Sequence, residues 1–137
     1  MRALDRKLDR KIAAELAQDL ARKGEVVRFV THGASMAPSI PSGSEVTVVP
    51  CAREDVRAGW VVMVRSLQGI LVHRAVAGVG GTLVLWGDAM PSPDGPLDDF
   101  ELIGHVVAIV RPTFSSRVRR KLASLLRRAQ KTITPTS

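Results

Sequence analysis

Leu4, Leu8, Ile12, Leu16 and Leu20 recur every fourth residue, set among Lys, Arg, Asp and Gln. Apolar positions at that spacing gather on one side of an α-helix. Arg22 and Lys23 stand where cations suit a helix C-terminus, and Gly24 follows as a stop. The pattern predicts one amphipathic helix over residues 1–24, with its leucine stripe packed on the rest of the protein.

At Glu25 the texture changes. Short runs of Val, Ile and Thr alternate with Gly, Pro, Ser and Asp as far as Pro112. Such runs predict short strands joined by many turns. Strands are expected over residues 26–31, 45–50, 60–66, 70–78, 82–87 and 102–110. Gln68 with Gly69, and Gly80 with Gly81, occupy positions suited to hairpin turns. Pro91, Pro93 and Pro96 make residues 89–98 an irregular loop. Beyond Pro112, Val118, Leu122, Leu125, Leu126 and Ala129 share one face of a second helical pattern, followed by a frayed end. The reading is therefore mainly β: a small coiled sheet or half-barrel domain at 25–112. An N-terminal amphipathic helix at 1–24 and a basic C-terminal helix and tail at 113–137 flank it.

The chain's 137 residues suit one domain with a modest core. Its net charge of +7 is unevenly spread. Residues 1–24 carry seven Lys/Arg against four Asp/Glu, residues 25–112 six against nine, and residues 113–137 seven against none. So basic a tail suits anionic partners, among them the surface of an anionic membrane. Nucleic acid is disfavoured, because aromatics make up only 4% of the chain and no nucleic-acid motif occurs. The charged N-terminus does not read as a secretory signal, and no run approaches the roughly 20 apolar residues of a membrane span. The expectation is a cytoplasmic chain, at most peripheral at a membrane. The single cysteine, Cys51, allows no internal disulfide.

Candidate chemistry lies in three places. Gly33, Ser35, Met36 and Pro38 form a glycine turn that exposes a serine beside an apolar wall, with backbone amides able to face an oxyanion. His73 and Arg74 interrupt an apolar strand. Asp88 and Asp94 follow Gly87 in the proline-rich loop. Serine, histidine and aspartate in that order supply a nucleophile, a base and an orienting carboxylate. Either aspartate could fill the third role. His32 and His105 have no neighbouring ligands at metal-binding spacing, so no metal and no cofactor are expected.

These segments resemble the signal-peptidase superfamily, which also holds the self-cleaving repressors. The likeness is to the branch in which histidine replaces the lysine base. The nucleophile motif is matched by Gly33, Ser35, Met36 and Pro38, and the base motif by His73, Arg74 and Val76. Gly87, Asp88 and Asp94 match the third motif, while Ile103, Gly104, Val106 and Val107 match the closing strand. The likeness spans about residues 26–111. Ser44, Trp60 and Ala89 depart from the family's usual residues at those positions, and no membrane anchor is expected ahead of the domain. The resemblance implies a serine endopeptidase with Ser35 as nucleophile, His73 as base and Asp94 as orienter, with Asp88 as bracing residue or alternative third member. Gly33, Met36 and Pro38 would bind substrate, an extended peptide or precursor added as a strand. A non-catalytic peptide-binding module on the same fold is the alternative. A self-cleaving repressor is another, although residues 1–24 hold too little for a DNA-reading module.

Overall fold

The sequence is apolar at every position from Trp60 to Val64, and this stretch becomes the centre of the molecule. In the computed structural model, which describes residues 2–113 and Leu125, strand β3 (Val61–Ser66) is buried on both faces along its first four residues. Helix α1 (Arg2–Arg22) comes first, then β1 (Val27–Val30) and β2 (Glu45–Val49). After β3 follow β4 (Gly69–Ala77), β5 (Leu83–Trp86), β6 (Gly95–Pro96) and β7 (Glu101–Val110). All pair antiparallel in one seven-stranded sheet of order β1-β2-β7-β3-β4-β5-β6. The sheet is not closed, since β1 and β6 stand at its two ends.

The last strand thus lies in the middle. The N-terminal part of β7 pairs with β3 and its C-terminal part with β2, both meeting at His105. Register shifts on both sides of β7 bend it between the two partners. Gly104 sits at that crossing because an added Cβ would collide with the Val49 carbonyl. Successive β3 side chains point to opposite faces and feed two cores. Val61 and Met63 pack with Val27, Val46, Val48, Val72 and Ile103. Val62 and Val64 pack with Val56, Ala75, Leu85 and Leu97.

Helix α1 covers the first core, but not by the face its leucines suggested. Ala14, Ala17 and Gln18 are buried, whereas Ile12 is 46% and Leu16 59% exposed. Small side chains let the helix backbone approach the sheet closely, and a polar clasp fixes it there. Buried Gln18 donates through Nε2 to Glu101 and accepts from Arg65 Nη1 at 2.7 Å. Arg65 Nη2 also lies 3.6 Å from Glu15. Both ends of the Gln18 amide are satisfied, as burial of a polar group requires.

The six expected strands occur, each within a residue of its expected bounds at either end. One element is a correction: the loop over 89–98 contains β6, which pairs Gly95 with Leu85 and Pro96 with Val84. Two residues are too few to show alternation, and proline is admitted because β6 is an edge. The expected C-terminal helix lies outside the described residues, apart from helical Leu125. Among the described residues, no helix is long and apolar enough to cross a membrane.

Candidate active site

The connection from β1 to β2 is a loop pinched at its base. Thr31 and Ser44 close it: the Thr31 amide donates to the Ser44 carbonyl at 2.8 Å, and Gly43 donates back to Thr31 at 2.7 Å. Gly33 has φ +91°, which a side chain would resist, and its amide donates to the Ser42 hydroxyl oxygen at 3.0 Å. Ser44, fully buried, donates its hydroxyl to the Pro41 carbonyl at 2.6 Å. Within this frame Met36 plugs into the first core, 4% exposed, and holds its half-buried neighbour Ser35 at the surface of the sheet.

His73 lies on β4, opposite Val62 on β3, and is 3% exposed. Its Nε2 is 2.9 Å from Ser35 Oγ and its Nδ1 is 2.5 Å from Asp94 Oδ2. An ionised carboxylate can only accept. Nδ1 therefore carries the proton and donates to Asp94, which leaves Nε2 with a lone pair to accept from the Ser35 hydroxyl. Strand β6 sets Asp94 in place: its amide donates to the Leu85 carbonyl at 2.8 Å, one residue before Gly95 pairs with the same strand.

Asp88 does not touch the imidazole. Arg74 grips it through Nε on Oδ1 and Nη2 on Oδ2, each at 2.9 Å, and the Ser39 hydroxyl donates to Oδ2 at 2.8 Å. The third guanidinium nitrogen donates to the Gly59 carbonyl at 2.7 Å. Asp88 thus ties the serine loop to β4. The Arg74 hydrogen bonds hold its carboxyl below the usual carboxylate range against the opposing effect of burial, with Ser39 helping. The same bonds raise the Arg74 guanidinium. Next to it, the Ala89 amide donates to the Ser35 carbonyl at 2.9 Å. Gly87 is glycine for want of room: an added Cβ would lie 2.8 Å from the Ser35 carbonyl oxygen and 3.0 Å from His73 Cε1.

Ser35 opens onto a cleft of about 320 Å³. Met36, Ile40, Phe29, Ile70 and Val72 make its floor apolar, while Gly33 and His32 stand at the serine end. Arg10 and Ala13 of α1 form one wall, with Gln68 and Leu71 of the β3–β4 hairpin. Of the three residues expected to bind substrate, Gly33 and Met36 line this cleft and exposed Pro38 does not. His105 on β7 lies opposite Val62 and stacks on Trp60 with ring centroids 4.2 Å apart. Half-buried Cys51 has its thiol pushed up by burial and by Asp55, which keeps it protonated and a poor nucleophile. No family model and no curated protein matches the chain.

Sequence reasoning did not find the contributions of Ser39, Arg10 and Ala13. Gly87 was matched to the third motif, but the lack of room beside Ser35 and His73 that requires glycine there was not legible. The α1 residues carried no signal, because the wall they form depends on how the helix crosses the sheet.

Proposed function

We propose that this chain is a serine endopeptidase that cleaves an extended peptide or precursor through an acyl-enzyme. The observation that carries the reading is the continuous run from Asp94 through both ring nitrogens of His73 to Ser35 Oγ. In this reading Nε2 takes the Ser35 proton as Oγ attacks the scissile carbonyl. The carboxylate of Asp94 fixes the tautomer and stabilises the imidazolium that forms. His73 then hands the proton to the leaving amine, and water, activated by the same base, releases the acyl group.

The oxyanion would take the Ser35 N–H, which has no acceptor among the described residues. Gly33 offers no hydroxyl for the purpose. The apolar cleft beside Ser35 suits small or apolar side chains near the scissile bond. The motif likeness to histidine-base signal peptidases supports the same chemistry, on a sheet coiled as a half-barrel. No cofactor enters this mechanism.

A fluorophosphonate probe tests the reading. It should label the purified chain, and tryptic mapping should place the adduct on Ser35. Ser35→Ala and His73→Ala should each lose labelling while keeping the far-UV spectrum. Labelling of Ser35→Ala at the rate of the parent would refute the nucleophile assignment.

A further inference from the structure

Strand β4 is paired on one side only over the half that leads to His73. Gly69–Arg74 pair with β3, whereas β5 takes only Arg74–Ala77. Among the described residues no strand covers the other edge of Gly69–His73, and Ile70, Leu71 and Val72 line the cleft there. A strand edge with its backbone groups open is where an extended peptide adds. A peptide laid along this edge runs from the imidazole towards the β3–β4 hairpin, at about 3.3 Å per residue.

That path ends against α1. A Cβ added at Gly69 would lie 3.6 Å from Arg10 Cβ, so the helix rests on the hairpin tip. Gly69 is four residues from His73 on the same strand, or about 13 Å. The next turn of the helix brings Ala13 to the same cleft. Ala14 and Ala17 are small because they lie against the sheet, but Ala13 is exposed, and packing does not demand its size. What its single methyl group does is leave room in the cleft. The Gln18 clasp, further along the helix, holds α1 in this place.

We infer that α1 is part of the substrate site, and that Ala13 sets which side chain is admitted about four residues from the scissile bond. The substrate is a peptide with an apolar side chain at that place, since the side chains of Ala13, Ile70 and Leu71 offer no polar group. Ser35 and His73 act on the bond, while Ala13 reads the peptide at a distance from it. The inference rests on the endopeptidase reading and adds to it the element that selects the substrate.

The test uses the full chain and a peptide mixture made by digesting a proteome with a glutamate-specific protease. Mass spectrometry of the new termini gives the residues around each cleaved bond. Rates are taken relative to fluorophosphonate labelling of Ser35 in the same variant, so that only sites with a working nucleophile count. The parent should prefer apolar residues at a position about three to five places from the bond. In Ala13→Leu the preference there should turn to Gly, Ala and Ser. For a synthetic peptide with Phe at that position, kcat/KM should fall by about tenfold or more against its Ala counterpart, because the added side chain fills the pocket. Ala13→Val should give the same shift more weakly. Both substitutions are at an exposed position, and an unchanged Tm would show the fold intact. Lys11 lies about 200° around the helix from Ala13, so Lys11→Leu adds apolar bulk outside the cleft and should keep the parent's profile. A parent indifferent to these positions, Ala13 variants that keep the parent's profile, or an equal shift in Lys11→Leu would overturn the inference and leave the peptidase reading standing. A parent that cleaves nothing in the mixture would remove that reading, and the inference with it.

Discussion

Arg74 closes on Asp88 through two parallel hydrogen bonds of 2.9 Å, one residue along β4 from His73. The two neighbours divide the work on the two aspartates. His73 takes Asp94, and Arg74 takes Asp88 and through it the serine loop. The roles separate experimentally. Asp94→Asn should slow fluorophosphonate labelling of Ser35 by about 10⁴-fold, since the imidazole loses the group that fixes its tautomer. Asp88→Asn should slow it by about tenfold, equivalent to on the order of 1.4 kcal/mol of lost positioning. The reverse ranking would exchange the two aspartates.

The Asp88 clamp also has an acid signature. Its carboxyl is held below the usual carboxylate range in the folded chain, chiefly by Arg74. The unfolded chain therefore binds a proton first as pH falls, at about 3.9. The stability Asp88 contributes is full above that value and is lost as pH drops through the lower folded pKa. Urea melts of the parent and Asp88→Asn should differ most above about pH 5, and the difference should shrink below about pH 4. A difference that grows in acid would contradict the assigned sign.

Gly87→Ala places a methyl group where only 2.8 Å separates it from the Ser35 carbonyl oxygen and 3.0 Å from His73 Cε1. Either the serine loop or the ring must retreat. The 2.9 Å contact between Nε2 and Oγ should lengthen, and the labelling rate should fall by about 10²-fold, the cost of a misplacement near 1 Å. A histidine side-chain NMR signal shifted in the variant, with Tm lowered only slightly, would locate the damage at the site. Unchanged labelling would show that the packing there yields.

Gln18→Ala tests the clasp under α1. It strips the amide that joins Glu101 and Arg65, leaving both to find water in a half-buried place. The expected loss is about 1–3 kcal/mol in a urea titration, as for other unmade buried hydrogen bonds. A variant as stable as the parent would assign the hold on α1 to Ala14 and Ala17 alone.

The strands were readable because alternation and β-branched runs report burial directly, as the four apolar positions of β3 illustrate. Ser35, His73 and the aspartates were readable as residue types in order. What could not be read was which aspartate meets the ring. That depends on β6, a pair of residues whose strand character comes wholly from Leu85 and Val84 across the sheet. Nor could the burial face of α1 be read. A stripe at i+4 steps invites the inference that leucine goes inward, yet close approach to the sheet favours alanine. Local hydrophobicity does not record which face has room.

The place of β7 has a consequence for how the protein is made. Ser35 and His73 are 38 residues apart, on arms of the sheet whose strands β2 and β3 are joined only through β7. That strand is the last of the seven to leave a ribosome. Until Glu101–Val110 has emerged, the nascent chain can form two hairpins but has no strand to set them side by side. Contacts so distant in sequence also form slowly. Synthesis order therefore leaves the sheet beneath serine and imidazole incomplete until its central strand has emerged.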